Sequence, residues 1–98
     1  MPLGYTLDLT AHEITKGDQA VALTPREYAL VSNFALNAGR AYSRESLIER
    51  VWPGDSGVDT KVVDVYISSL RRKLGEGMIE TVRGLGYRLR RLGRLEQP

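Results

Sequence analysis

Lys61-Val62-Val63-Asp64-Val65-Tyr66-Ile67-Ser68-Ser69-Leu70-Arg71-Arg72-Lys73-Leu74 reads as one amphipathic helix, and its outer face decides what the surrounding elements are for. At about 100° per residue, Val63, Ile67, Leu70 and Leu74 fall on one narrow apolar stripe. Lys61, Val65, Ser68, Ser69 and Arg72 project from the opposite side. An ordinary surface helix carries charge of both signs there. This outward face reads as free of acids, with short side chains that permit close approach to base edges in a DNA groove. The basic cluster Arg71-Arg72-Lys73 at its far end also fits a solvated helix whose cations favour the C-terminal dipole. The neighbouring elements discriminate between the two.

The 98 residues suit a single domain spanning 1–98, with one modest core. A hydrophobic share of 42% beside 27% charged residues is ordinary for a soluble globular chain. No run of about 18 apolar residues occurs, and the N-terminus has neither a basic start nor an apolar signal core. The chain therefore reads as cytoplasmic, with no membrane contact. It has no cysteine, which removes disulfide frameworks, the usual zinc sites and thiol catalysis together. Net charge is only +2, but it is unevenly spread. Residues 1–58 carry five Lys/Arg against seven Asp/Glu, a balance of −2, and residues 59–98 carry nine against five, a balance of +4. A basic side facing phosphates produces such an asymmetry, and so does a plain solvated face.

Upstream, Tyr5-Thr6-Leu7-Asp8-Leu9 alternates apolar and polar, and Glu13–Lys16 with Gln19–Leu23 reads as a hairpin turning at Gly17. These predict a small antiparallel sheet. Thr24-Pro25-Arg26-Glu27 then starts a helix, with a Thr cap, Pro at the first helical position and Glu three residues after the cap. Val31, Phe34, Ala35 and Ala38 share a face until Asn37-Ala38-Gly39 ends it. A second helix of about three turns starts at Ser43, with Tyr42 and Leu47 placed as a hydrophobic staple, and stops at Pro53-Gly54. The Gly-rich connection 53–60 leads to the third helix, capped by Asp59 or Thr60 and closed by Gly75 and Gly77. Met78–Val82 and Tyr87–Arg90 flank Arg83-Gly84-Leu85-Gly86 as a tight hairpin. The predicted class is α+β: a winged helix-turn-helix with an N-terminal antiparallel sheet, three helices and a C-terminal β-hairpin wing.

Ser43-Arg44-Glu45-Ser46-Leu47, then Val51-Trp52, then Val63 to Leu74, then Thr81-Val82-Arg83-Gly84-Leu85-Gly86-Tyr87-Arg88 resembles the C-terminal effector domain of OmpR/PhoB-family response regulators. The resemblance runs from about Tyr5 to Arg90, and its specificity lies in the combined order and spacing of the motifs. It implies a four-stranded N-terminal sheet and sequence-specific binding of promoter duplex DNA for transcription regulation, as the output domain of a two-component system. It further implies head-to-tail binding to direct repeats, contact with RNA polymerase through the loop 53–60, and a receiver domain in the full-length protein. No acidic cluster with a Lys that would form a phosphoacceptor site is present in the sequence. Either the chain is an excised fragment, as the abrupt Met1-Pro2 start suggests, or the domain works alone.

Carried over by motif, the resemblance places Lys61, Val62, Val65, Tyr66 and Ser69 toward bases in the major groove, and Arg83 in the adjacent minor groove. An outward Val65 suits a thymine methyl, whereas a solvated helix gives it no purpose. A guanidinium at a hairpin tip suits a narrow, electronegative minor groove. Arg44, Trp52, Thr81 and Tyr87 fall at or beside positions that meet the DNA backbone, though packing is an equal reading for Trp52 and Tyr87. Arg71, Arg72 and Lys73 are expected to position the helix on phosphates and not to specify bases. Tyr66 stands where the family often has His, and Lys61 and Ser69 where it often has Arg. The preferred DNA sequence therefore does not carry over from relatives.

The sequence does not read as an enzyme. His12 is the only histidine, in the N-terminal sheet region, without a Cys or Ser motif beside it, and no metal or cofactor is expected. The alternative to DNA binding is a winged-helix module whose basic side docks an acidic protein partner.

Overall fold

The computed structural model describes residues 5–8, 10–37, 39–55 and 57–90. Three strands come first: β1 (Tyr5–Asp8), β2 (Glu13–Lys16) and β3 (Gln19–Val21), paired antiparallel in the order β1-β2-β3. Lys16 sits opposite Gln19, so the hairpin loop is Gly17-Asp18, with Gly17 at φ 61° as a two-residue turn requires. The resemblance implied four strands here. Three are present among the described residues, because Tyr42 and Ser43 form a short strand, β4, that pairs elsewhere. Leu9, expected to extend β1, lies outside the described residues, as do Ala38 and Met1–Gly4.

Helix α1 (Pro25–Leu36) begins with both halves of the capping box. The Glu27 N–H donates to Thr24 Oγ1 at 3.2 Å, and the Thr24 N–H donates to Glu27 Oε1 at 2.9 Å. The helix ends at Asn37, and Gly39 turns the chain away at φ 89°. Helix α2 (Arg44–Val51) is capped by Ser43, whose Oγ accepts from the Ser46 N–H at 3.0 Å. It terminates at Trp52, just before the predicted Pro53-Gly54 stop. Helix α3 (Lys61–Leu74) is entered through Asp59, whose Oδ1 accepts the Lys61 N–H at 2.9 Å and whose carbonyl accepts the Val62 N–H at 2.9 Å. Thr60, the other predicted cap, makes no side-chain capping bond.

The wing is β5 (Ile79–Val82) and β6 (Gly86–Leu89), which form one sheet with β4 in the order β4-β6-β5. Val82 opposes Gly86, so the loop is the three residues Arg83-Gly84-Leu85, with Gly84 at φ 78° and the Leu85 N–H on the Val82 carbonyl at 3.0 Å. Gly86 was expected to serve the turn. It lies instead in β6 opposite Ser43, where an added Cβ would stand 2.1 Å from the Tyr42 carbonyl oxygen. Its missing side chain is what lets β4 approach β6.

One core joins these elements. The predicted stripe Val63, Ile67, Leu70 and Leu74 is buried, together with Leu30, Val31 and Phe34 of α1, Leu47 and Val51 of α2, Leu7 and Ile14 of the N-terminal sheet, and Ile79, Tyr87 and Leu89 of the wing. Each such side chain contributes about 1.5–3 kcal/mol on burial. Because α3 spends its apolar stripe on this core, its other face is left at the surface beside the wing.

Candidate nucleic-acid interface

Along the outer face of α3, Lys61, Val65, Ser68 and Arg72 are exposed, Val65 to 65%. Lys61 and Arg72 form no ion pair among the described residues, and neither does Arg83, exposed at the wing tip. These three cations and Val65 are exposed groups that the described residues leave available. Val62 and Tyr66 are half-buried against the core edge, and the Tyr66 ring meets Trp52 edge to face at 5.2 Å. Trp52 is 6% exposed, and the Arg26 guanidinium lies 5.3 Å above its ring while donating to the Val51 carbonyl. Trp52 therefore has the packing role that the sequence held open, and it braces Tyr66.

Ser69 departs from the expected outer face. Its hydroxyl donates to Glu27 Oε2, and Lys73 donates to Glu27 Oε1 at 2.7 Å. Positions 69 and 73 are one helical turn apart and flank the Leu70/Leu74 side of the stripe, so both reach α1. Burial raises the Glu27 pKa, but the bonds from Lys73, Ser69 and the Thr24 N–H outweigh it and hold the carboxyl below its ordinary value. Glu27 is 3% exposed, and nothing in its local sequence beyond the capping box signals this second role.

Arg71 is likewise committed. Its Nε and Nη2 donate to the Ile79 carbonyl at 3.2 and 2.9 Å, and Nη2 also donates to Thr81 Oγ1 at 3.0 Å. It ties α3 to the first wing strand, half-buried, while Arg72 beside it stays exposed. Thr81 is exposed on that strand. On the same hairpin Glu80 pairs with Arg88 at 2.8 Å and Arg90 at 3.1 Å, so those two arginines share one carboxylate and are partly neutralised locally.

An acid borders the outer face of α3, at a flank position the sequence reading left without a role. Asp64 keeps 45% of its side-chain surface exposed and accepts two bonds on Oδ1, from Arg44 Nε at 2.7 Å and from the Tyr87 hydroxyl at 2.6 Å. Arg44 Nη2 also reaches the Tyr87 oxygen at 3.4 Å, and the Arg44 and Arg71 guanidinium carbons lie 5.2 and 5.7 Å from the Tyr87 ring centre. The Tyr87 bond lowers the Asp64 pKa, against the opposing effect of burial and with help from Arg44. Burial and the facing Asp64 push the Tyr87 phenol up. Asp64 lies about 100° around the helix from both Val63 and Val65, a flank position that periodicity alone leaves ambiguous.

His12 stands in the exposed turn between β1 and β2 at φ 55°, stacked on Tyr28 with ring centres 5.1 Å apart. Among the described residues no cluster of His, Cys, Asp or Glu is arranged to hold a metal, and no helix is long and apolar enough to cross a membrane.

A three-helix core, a recognition-type third helix with its outer face open, and a β-hairpin beside it define a winged helix-turn-helix DNA-binding domain. The family profile for "Transcriptional regulatory protein, C terminal" matches residues 18–89. The transcriptional regulatory protein CseB of Streptomyces avermitilis is 45% identical over 84 residues, covering 86% of this chain and 36% of CseB. The DNA-binding domain of Bacillus subtilis CssR superposes with a TM-score of 0.79 at 35% identity, covering 87% of this chain and 98% of that domain. The Klebsiella pneumoniae RstA DNA-binding domain, solved in complex with the RstA box, superposes with a TM-score of 0.78 at 30% identity, covering 89% of this chain and 91% of that one. The chain belongs to the family of C-terminal DNA-binding effector domains of OmpR/PhoB-type response regulators. It spans little more than a third of the length of the CseB regulator it matches.

Proposed function

We propose that this domain binds promoter duplex DNA in a sequence-specific manner, with α3 in the major groove and the wing in the adjacent minor groove, as the output domain of a two-component response regulator in the cytoplasm. The supporting observation is the open face of α3, where Lys61, Val65 and Arg72 are exposed, and Lys61, Arg72 and the exposed wing-tip Arg83 form no ion pair among the described residues. Lys61, Val62, Val65 and Tyr66 address base edges, Val65 by apolar contact with a thymine methyl. The Ser69 hydroxyl donates to Glu27, so toward a base it acts as an acceptor, suited to an exocyclic amino group. Arg83 enters the minor groove. Arg44, Arg72 and Thr81 belong to the backbone-facing rim, and Tyr87, buried with its hydroxyl on Asp64, supports that rim from behind. Trp52, Arg71 and Lys73 act through the Tyr66, wing and α1 contacts they hold.

Tandem head-to-tail binding to direct repeats, a receiver domain in the longer protein and contact with RNA polymerase through residues 53–60 belong to the same proposal. For the last, an open groove beside that loop is lined by Ile48, Glu49, Trp52, Pro53, Asp55 and Val58.

Selection from a random duplex pool tests the reading. A defined motif should emerge, and Lys61→Ala or Val65→Ala should re-rank selected sites by about 1–3 kcal/mol. Recovery of no motif would leave docking of an acidic protein as the better account of the basic face.

A further inference from the structure

An acid at the edge of the DNA-facing side of a recognition helix repels phosphates, so the flanking Asp64, half-buried beside Val65, needs a reason. Asp64 accepts from Arg44 only at Nε, and Tyr87 accepts from Nη2. A guanidinium has five N–H donors, and these two contacts leave three unused on the Nη edge. The Tyr87 hydroxyl donates its hydrogen bond to Asp64, so that O–H is not available to a phosphate while the bond stands. The three residues come from separate elements: Arg44 opens α2, Asp64 lies in the first turn of α3, and Tyr87 sits in β6 between β4 and β5.

We propose that Asp64 is a positioning residue for DNA binding: it pins Arg44 side-on so that the free Nη edge meets a backbone phosphate, and Tyr87 acts through Asp64 as a brace and makes no direct phosphate contact. The proposal rests on the DNA-binding reading above and assigns a role to the acid that reading does not use. An arginine held in one orientation loses less rotamer freedom on binding than a free one. The lowered Asp64 pKa is consistent with a carboxylate that stays ionised to do this. A mere counter-ion would behave oppositely, because deleting it would release a cation toward the DNA.

The test is duplex titration over a range of salt, using the sequence selected by the parent protein and an unrelated duplex, with Asp64→Ala, Asp64→Asn, Tyr87→Phe and the Asp64→Ala/Tyr87→Phe double variant. Asp64→Ala should bind the selected duplex about tenfold more weakly despite its added positive charge, the scale of one lost charge-assisted hydrogen bond. The magnitude of its log-log salt slope should fall by about 0.9, one phosphate contact. Asp64→Asn, which keeps an acceptor oxygen, should fall between Asp64→Ala and the parent. Tyr87→Phe should weaken binding in the parent and add little in the Asp64→Ala background.

Thermal melts at the titration conditions restrict the comparison to variants that remain folded. If Asp64→Ala is not folded, the Tyr87→Phe effect measured in the parent and in Asp64→Asn decides in the same way. Asp64→Ala binding as tightly as the parent or tighter, with an equal or steeper slope, would overturn the assignment, as would fully additive Asp64 and Tyr87 effects. A parent without sequence preference would instead remove the DNA-reading proposal itself. A selective parent that Lys61→Ala re-ranks, beside a tighter Asp64→Ala, would leave that proposal standing and refute only this one.

Discussion

Glu27 shows how one side chain serves two levels of structure. The Thr24-x-x-Glu27 spacing declares its capping role, and both capping bonds form. Its second role, holding Ser69 and Lys73, joins positions 42 and 46 residues away, a separation over which no local pattern carries information. Glu27→Ala should lower unfolding stability by about 1–3 kcal/mol, because it leaves the Ser69, Lys73 and Thr24 donors without their acceptor. The pH dependence has a definite sign. The folded pKa lies below the unfolded value, so the contribution is complete above about pH 4.3 and is lost as pH falls through the lowered folded value. Melts of parent and variant from pH 7 to pH 3 should therefore converge on the acid side. A constant gap would refute the linkage. Ser69 belongs to the same lesson: its helical angle lay near the outer face, but the carboxylate on α1 claims its hydroxyl.

Among the elements, the wing is the one whose outline was legible and whose anchoring was not. Arg83-Gly84 between two alternating strands predicted the hairpin, and the three-residue loop with Gly84 at φ 78° realises it. The two-residue strand Tyr42–Ser43 was invisible as a strand, since it is too short to show period-two alternation and doubles as the entry to α2. Its pairing with β6 depends on Gly86. Gly86→Ala should force β4 away from β6, cost about 1–3 kcal/mol and raise hydrogen exchange at the β4–β6 contact. Unchanged exchange there would show that the backbone relaxes without losing the pair. Arg83→Ala acts at the same element without touching the sheet. It should keep the parent's melt and lose preference for A·T-rich sequence flanking the α3 site, as read from selection on randomised flanks. Equal flank preference in parent and variant would leave the wing as a brace alone.

For the molecule as a whole, the useful quantity is the placement of charge and not its total. The net +2 is small, and several cations are paired within the domain: Arg44 with Asp64, Lys73 with Glu27, and Arg88 and Arg90 with the one carboxylate of Glu80. Among the described residues from 59 on, Lys61, Arg71, Arg72 and Arg83 have no carboxylate partner, and of these Lys61, Arg72 and Arg83 are exposed, from the start of α3 to the wing tip. Duplex affinity should therefore fall with salt, each phosphate contact adding about 0.9 to the magnitude of the log-log slope. The loss should be shared by selected and unrelated duplexes. Lys61→Ala/Arg72→Ala/Arg83→Ala together should flatten the slope more than Arg88→Ala/Arg90→Ala, which share the Glu80 carboxylate. A reversed order in a binding titration would mean that the paired arginines are released on DNA.

What the sequence by itself determined was set by local physics: three helices from their caps and periodicities, the buried stripe Val63, Ile67, Leu70 and Leu74, the turns at Gly17 and Gly84, and an order of motifs specific enough to indicate the family. Those features depend on neighbours within a turn or two of the chain. The tertiary structure alone decided which polar groups on that framework are free. Asp64, Ser69, Arg71 and Lys73 carry the same chemistry wherever they stand, but packing brings Arg44, Tyr87, Glu27 and Ile79 within 2.5 to 3.2 Å of them. Hydrogen bonding is short-ranged and directional, so a side chain's partner, and hence what it has left for DNA, is fixed only when distant segments meet.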